Sequence, residues 1–204
     1  MSDSLKNIIV SDLQRYIPAK DGQKICSKTI LCKTFLHEYF RHESFHYTFW
    51  LRIGFLLVQH KGNILVKIFR SIVYIIHLRN SHRLGIQIPL GTKIGKGLRF
   101  GHYSNIVIAA GAVIGDNCTL HNGVTIGRTF SQDGGTPIIG NDVIIFPNSI
   151  VVGRIHIGDG CIIASNTVVT KDSDANMLLF GSPAQRRVIN RDDCISSEWK
   201  FFFE

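Results

Sequence analysis

The 204-residue sequence predicts a mainly β fold, a three-sided parallel β-helix, preceded by an α-helical N-terminal region. Two observations carry this prediction. Between Ile88 and Val169 an apolar residue recurs at nearly every sixth position, whereas before Leu84 apolar residues recur at spacings of three and four. Because a period of six is neither helical nor a simple strand alternation, the architecture is expected to change near Leu84.

The N-terminal domain, residues 1–83, is predicted to be helical. Segments 34–40, 45–59 and 64–79 carry apolar residues at helical spacing, Lys61-Gly62-Asn63 separates the last two, and residues 1–25 add a short helix that ends before Pro18. This region holds 13 Lys/Arg against 5 Asp/Glu, while residues 84–204 hold 10 of each. The imbalance predicts either contact with something anionic or a solvated basic face.

The second domain, residues 84–180, is predicted to be the β-helix. Six residues form each flat side and eighteen form one turn, with an apolar residue of each side pointing inward and small residues relaxing the corners. Counting in steps of six stacks Ile139 on Leu120. The inward positions are Ile88, Ile94, Phe100, Ile108, Ile114, Leu120, Ile126, Ile139, Ile145, Val151, Ile157, Ile163 and Val169.

Two interruptions of the repeat are the candidate functional segments. The step from Phe100 to Ile108 is eight residues and contains His102, and residues 127–138 form an excursion in which Gln132 replaces an expected apolar residue. Insertions in a rigid solenoid project as loops, which commonly carry function. The two irregular corners are expected to converge and to place His102, His121 and Asn122 near one corner, with His156 two coils further on. Histidine suits proton transfer near neutral pH.

The run KIGKGLRFGHYSNIVI (93–108), followed by AVIGDN (112–117), VTIG (124–127), GDG (158–160) and GSPA (181–184), resembles the hexapeptide-repeat acyltransferases. Within them it is similar to the serine acetyltransferase branch, and most similar to its capsule and exopolysaccharide O-acetyltransferases. The resemblance implies a left-handed parallel β-helix, acetyl-CoA as co-substrate, and a homotrimer or a dimer of trimers.

The resemblance also implies residue roles. His102 matches the general base, which takes the proton from an acceptor hydroxyl during attack on the acetyl-CoA thioester. Glu43, Asn105, Asn122 or a backbone carbonyl would orient it. The expected acceptor-binding residues are Asn105, His121, Asn122 and Glu43, the expected cofactor-binding residues are Arg128, Thr129, Pro147, Ser165, Lys171, Arg186 and Arg187, and no metal ligand is expected.

Some positions depart from the serine acetyltransferase pattern. Ile86 stands where the family has the aspartate that orients the base, and Gly101 stands where it has another aspartate. Gly135-Thr136 replaces an Arg-His pair that helps to bind serine. We therefore expect a carbohydrate acceptor, a sugar hydroxyl of a capsular or other surface polysaccharide or its precursor. The alternatives are serine O-acetylation, zinc-dependent hydration and a non-catalytic scaffold.

The remaining features bear on location and partners. The five cysteines form no CxxC pair and no signal peptide is evident, which predicts a cytoplasmic protein with reduced thiols. No apolar stretch is long enough to span a bilayer. Lys67 and Arg70, beside Phe69 and Ile72, indicate either peripheral membrane contact or a subunit interface. The C-terminal tail, residues 181–204, ends in four aromatic residues that are expected to pack on the coils, and nothing suggests nucleic-acid binding.

Overall fold

A computed structural model describes residues 4–17, 28–60, 62–130 and 134–189. The helices are α1 (Leu5–Gln14), α2 (Lys28–Arg41), α3 (Glu43–Gln59) and α4 (Ile64–Leu84). Ser4 and Asn63 cap α1 and α4 by accepting backbone N–H bonds, and Gly85 ends α4 with a φ of 65°. The short N-terminal helix, the break before Ile64 and the change of architecture after Leu84 are confirmed, while the aromatic tail lies outside the described residues.

The strands after α4 form three sheets, which are the three flat sides of a prism. Face A has the order β1-β4-β7-β10-β13, face B has β2-β5-β8-β11, and face C has β3-β6-β9-β12-β14-β15. All pairs are parallel except β14 with β15. The strands are β1 (Ile86–Gln87), β2 (Lys93–Ile94), β3 (Arg99–Phe100), β4 (Ile106–Ile108), β5 (Val113–Ile114), β6 (Thr119–Leu120), β7 (Thr125–Gly127), β8 (Ile138–Ile139), β9 (Ile144–Ile145), β10 (Ile150–Val152), β11 (His156–Ile157), β12 (Ile162–Ile163), β13 (Val168–Val169), β14 (Met177–Phe180) and β15 (Gln185–Val188).

The register of the coils differs from the sequence count after the excursion. Ile139 pairs with Ile114 on face B, and Leu120 pairs with Ile145 on face C. The prediction that Ile139 stacks on Leu120 is therefore wrong, while Gln132 lies outside the described residues. A corner insertion need not be a multiple of six, because strand pairing and not residue count fixes the register.

The core confirms the six-residue pattern. Twelve of the thirteen predicted inward residues are at most 2% exposed, and Ile94, on the first coil, is partly buried. The same core continues into the helices through Tyr47 and Leu51 of α3. The coils and the helical region therefore share one hydrophobic core, as stacked repeats that cannot bury their apolar residues alone require.

A buried ion pair joins the helices to the first coil. Nε of Arg52, on α3, lies 2.8 Å from Oδ2 of Asp12, on α1, and both side chains are at most 6% exposed. The Arg52 guanidinium also donates to the carbonyl oxygens of Ile94 and Gly95, at 2.6 and 2.5 Å. Oδ1 of Asp12 accepts from the backbone N–H of Leu98, at 2.9 Å. Each buried charge is therefore paired and hydrogen-bonded.

Other side chains of the N-terminal region bind the same edge of the first coil, which we call the capped edge (residues 86–100). These bonds take the place of those that a preceding coil would make, so buried backbone groups have partners. They run from the Tyr47 hydroxyl to the Ile86 carbonyl (3.4 Å), from the His77 Nε2 to the Ile88 carbonyl (2.9 Å), and from the Phe100 N–H to the Tyr16 hydroxyl (3.2 Å).

One side of α4 carries large apolar side chains that are exposed. They are Ile64, Leu65, Ile68, Phe69, Ile72 and Ile75. Lys67 and Arg70 beside them are exposed as well. In the described part of the chain, no helix is both long and apolar enough to cross a membrane. Membrane contact and a subunit interface both stay predictions for this face.

Candidate active site

The candidate site lies where the chain passes from face C to face A, which we call the C–A corner. In the first coil this corner spans residues 101–105 and carries the two extra residues that the sequence indicates. Ser104 and Asn105 have positive φ angles of 140° and 50°, and the Ser104 carbonyl accepts from the N–H of Gly123. The imidazole of His102 is exposed on this loop, as the widened step predicts.

Directly below this loop, in the next coil, lies the ring of His121. It is 6% exposed, stacks on Phe146 with ring centroids 5.1 Å apart and an interplanar angle of 12°, and lies 5.7 Å from the ring of His102. Burial, with smaller electrostatic contributions from His102 and Arg99, lowers the pKa of His121 to about 4. His121 is therefore a neutral imidazole at neutral pH.

The packing of His121 explains why position 101 is glycine. A Cβ atom at Gly101 would lie 2.4 Å from Cε1 of His121, far inside van der Waals contact. Gly101, His121 and Phe146 each follow the inward residue of face C in successive coils, so they form one column. With the correct strand register, the sequence would have placed Phe146 in the same column as Gly101 and His121. The count in steps of six missed this signal.

Gly101→Ala is expected to destabilise the fold by about 1–3 kcal/mol, because the new methyl group forces the His121 ring off Phe146. Chemical denaturation measures the change. Gly91→Ala is the matched control, because nothing lies within 4 Å of a Cβ atom at Gly91. In a His121→Ala background, the loss in free energy of unfolding caused by Gly101→Ala should fall to that of the control. An undiminished loss would contradict the packing explanation.

Glu43 is close to the His102 loop but contacts other residues. Its carboxylate accepts from the Tyr103 hydroxyl at 3.0 Å and pairs with Nη1 of Arg83 at 3.2 Å. The hydrogen bond to Glu43 raises the pKa of Tyr103, and the charge of Arg83 opposes that rise. Glu43 thus anchors the residue after His102, and Tyr103 and Arg83 are members of the site that the sequence did not indicate.

The other residues predicted around the base occupy the same corner. Asn105 is exposed in the His102 loop, and the Asn122 carbonyl accepts from the N–H of Asn148 in the coil below. His156 does not belong to this group, because it begins β11 on face B. Its prediction as a neighbour two coils on depended on the wrong register.

The predicted cofactor-binding residues fall on different corners. Pro147 and Ser165 continue the C–A corner below His102, whereas Arg128, Thr129 and Lys171 lie where the chain passes from face A to face B, the A–B corner. Face A separates the two groups within one chain. The prediction that the two irregular corners converge is therefore wrong for a single subunit, since the insertions occupy opposite sides of face A.

The last coil brings two of the predicted basic residues together. Lys171 and Arg186 line a small cavity of about 160 Å³ with Pro183 and Ala184. One Arg186 nitrogen donates to the Asp172 carbonyl at 2.9 Å, while the neighbouring residue on β15, Arg187, is exposed. Two cations beside a small polar cavity suit an anionic group such as a phosphate.

Stability is expected to depend on pH through His121. Its folded pKa lies below the ordinary value of 6.5, so the folded state binds fewer protons than the unfolded state between about pH 6.5 and 4. The stabilisation is complete above pH 6.5 and is lost as pH falls toward 4. Wild type should lose about 2–3 kcal/mol more than His121→Gln between pH 7.5 and 4.5, measured by urea denaturation. Equal losses would show that His121 is not the group that titrates.

Two family models match the coils. One described as "Bacterial transferase hexapeptide (six repeats)" matches residues 136–171, and one described as "Hexapeptide repeat of succinyl-transferase" matches residues 91–128. Soybean serine acetyltransferase complexed with serine has a TM-score of 0.70 and 27% identity, covering 90% of this chain and 70% of that one. A serine acetyltransferase complex with CoA, at 22% identity and a TM-score of 0.68, shares the fold.

The sequence relatives are named as serine acetyltransferases. Serine acetyltransferase 1 of Arabidopsis thaliana is 41% identical over 136 residues, which are 65% of this chain and 43% of the relative. The Helicobacter pylori (strain 26695) enzyme is 38% identical over 102 residues, 50% of this chain and 60% of the relative. The chain thus spans about half the length of these relatives.

These relatives contradict the predicted carbohydrate acceptor, and they give no support to a closer relation with capsule and exopolysaccharide enzymes. That prediction depended on the departures at Ile86, Gly101 and Gly135-Thr136. The structure gives two of them a packing reason, since Ile86 is fully buried in the core and Gly101 makes room for His121. The Gly135 carbonyl accepts from the N–H of Thr129 and closes the excursion.

Proposed function

We propose that the chain belongs to the serine acetyltransferase branch of the hexapeptide-repeat acyltransferases and that it is an acetyl-CoA-dependent serine O-acetyltransferase. The observation that carries the proposal is the exposed imidazole of His102 on the one corner widened by two residues. The names of the relatives and the serine in the soybean structure supply the acceptor. The proposal concerns the activity of the whole protein, whereas the relatives match part of its chain.

His102 acts as the general base in the proposed reaction. Its unprotonated ring nitrogen takes the proton of the serine hydroxyl as that oxygen bonds to the thioester carbonyl carbon of acetyl-CoA. The tetrahedral intermediate then breaks its carbon–sulfur bond. The imidazolium returns the proton to the departing thiolate, so that O-acetylserine and free CoA leave with His102 regenerated.

A second copy of the chain completes the site in this proposal. Arg128 and Thr129 are on the A–B corner, across face A from His102, so they reach His102 most simply from a neighbouring subunit. Three prisms packed around a common axis would bring one subunit's A–B corner to its neighbour's C–A corner. Sedimentation equilibrium tests the trimer, and a monomer at enzymatically active concentrations would contradict it.

The acceptor is tested with purified protein, acetyl-CoA and L-serine. The expected result is release of CoA thiol that depends on L-serine, with O-acetylserine identified by mass spectrometry. L-alanine, which lacks the hydroxyl, is the matched control and should give only the background of thioester hydrolysis. Thiol release that is the same with and without serine would overturn the proposed function.

A further inference from the structure

The base of the proposed reaction has no orienting carboxylate in the described structure. Ile86, at the position of the family aspartate, is buried in the core, and Gly101 has no side chain. The nearby Glu43 carboxylate is held by Tyr103 and Arg83. A general base still needs a partner that fixes its ring and its tautomer. In the part of the chain that the structure describes, the aromatic ring in contact with His102 is that of His121.

We propose that His121 is the positioning residue for His102. Its neutral imidazole accepts a hydrogen bond from one ring N–H of His102, and this leaves the other ring nitrogen of His102 unprotonated as the base. The role of His102 as base rests on the proposed function, whereas the pairing of the two rings does not. A histidine would thus do the orienting work that a carboxylate does elsewhere.

The His121 ring has a buried nitrogen that can accept a hydrogen bond and that no described group donates to. Its Nδ1 is buried and has no hydrogen-bond partner, in a side chain that is 6% exposed. A buried polar atom without a partner is costly, so a partner is expected. The ring edge that carries both nitrogens faces the His102 loop, because Nδ1 and Nε2 lie 2.8 and 2.9 Å from the Cβ position of Gly101.

The distance between the rings suits the proposed bond after a small movement. The centroids are 5.7 Å apart, whereas two imidazoles that share an N–H···N bond have centroids roughly 5 Å apart. His102 is exposed and free to turn, while His121 is fixed between Gly101 and Phe146. Catalytic hydrogen bonds are often long before the substrate binds. His102 is therefore expected to move toward His121.

The charges around the pair favour a neutral acceptor. Burial, with His102 and Arg99 nearby, lowers the pKa of His121 to about 4, so the ring keeps a free lone pair at neutral pH. The Glu43–Arg83 pair contacts the loop through the Tyr103 hydroxyl. When His102 gains the proton of the acceptor, the bond to His121 becomes charge-assisted and stronger. The interaction thus favours the charged state that forms during the reaction.

Nuclear magnetic resonance tests the pair without any substrate. The ¹⁵N chemical shifts of the two His102 ring nitrogens, read at pH 8, report which one carries the proton. The expected result in the wild-type protein is a single tautomer of His102, which becomes an exchanging mixture in His121→Phe. A mixture of tautomers already present in wild type would overturn the proposal, whatever the variant does.

Steady-state kinetics tests the consequence for catalysis. His121→Phe keeps the aromatic contact with Phe146 but has no acceptor, and kcat is expected to fall about 10- to 100-fold with KM for serine little changed. His121→Gln restores an acceptor oxygen and should recover most of kcat. The pH at which kcat falls on the acid side should also move in His121→Phe alone. Equal losses in both variants, with an unmoved pH profile, would assign His121 a structural role only.

The two experiments separate this inference from the proposed function. A single His102 tautomer in a protein that does not acetylate serine would keep the ring pair and reject the acceptor. Serine acetylation with a mixture of His102 tautomers would keep the function and reject His121 as the positioning residue.

Discussion

His102→Ala is expected to lower kcat for acetyl transfer by about 10²- to 10⁴-fold, the contribution typical of a positioned general base. The side chain is exposed on the C–A corner, so its removal creates no cavity and leaves the core intact. The rate of serine-dependent thiol release measures the loss.

The matched control is His156→Ala. His156 is also exposed, but it lies on face B, away from the C–A corner. Its removal should leave kcat unchanged. If the His102 variant keeps wild-type activity, or if the two variants lose the same amount, then His102 is not the base and the proposed mechanism fails.

Arg52→Ala is expected to destabilise the protein by about 3–5 kcal/mol, because it leaves the Asp12 carboxylate buried without its counter-ion. The carbonyls of Ile94 and Gly95 lose their donor in the same step. This is a large share of the 5–15 kcal/mol that typically stabilises a folded domain. Urea denaturation at neutral pH measures it.

An exposed ion pair provides the comparison. Arg83 pairs with Glu43 with side chains that are 52% and 44% exposed, and surface pairs contribute at most about 1 kcal/mol. Arg83→Ala should therefore be nearly neutral for stability. The double variant Asp12→Ala/Arg52→Ala should cost less than the sum of the two single variants, because no charge is left unpaired. Strict additivity would mean that the two side chains do not stabilise each other.

The sequence was sufficient to predict the three-sided coil. The reason is physical, since every side of the prism must bury one apolar residue, and this requirement leaves a period that can be read directly from Ile88 to Val169. The helices before Leu84 follow from the same logic with a period near 3.6. The widened step marked the His102 loop because two extra residues have no place on a flat side.

The sequence was not sufficient where a corner changed length. The excursion adds seven residues to the A–B corner, and a count in steps of six assigned them to a flat side that does not exist. Every residue after Ile126 was then placed on the wrong face, including His156. The pairing of His121 with Gly101 and Phe146 depends on strand register, which periodicity alone does not contain.

The capped edge also prevents self-assembly of the molecule through strand pairing. A stack of parallel coils ends in three strands whose free N–H and C=O groups can template another chain, and such an exposed edge invites open-ended polymerisation. Here tyrosine, histidine and arginine side chains already occupy those groups at one end of the prism. The helical region therefore blocks the addition of further strands at the capped edge. A version of the chain that begins at Gly85 is expected to assemble into filaments through that edge.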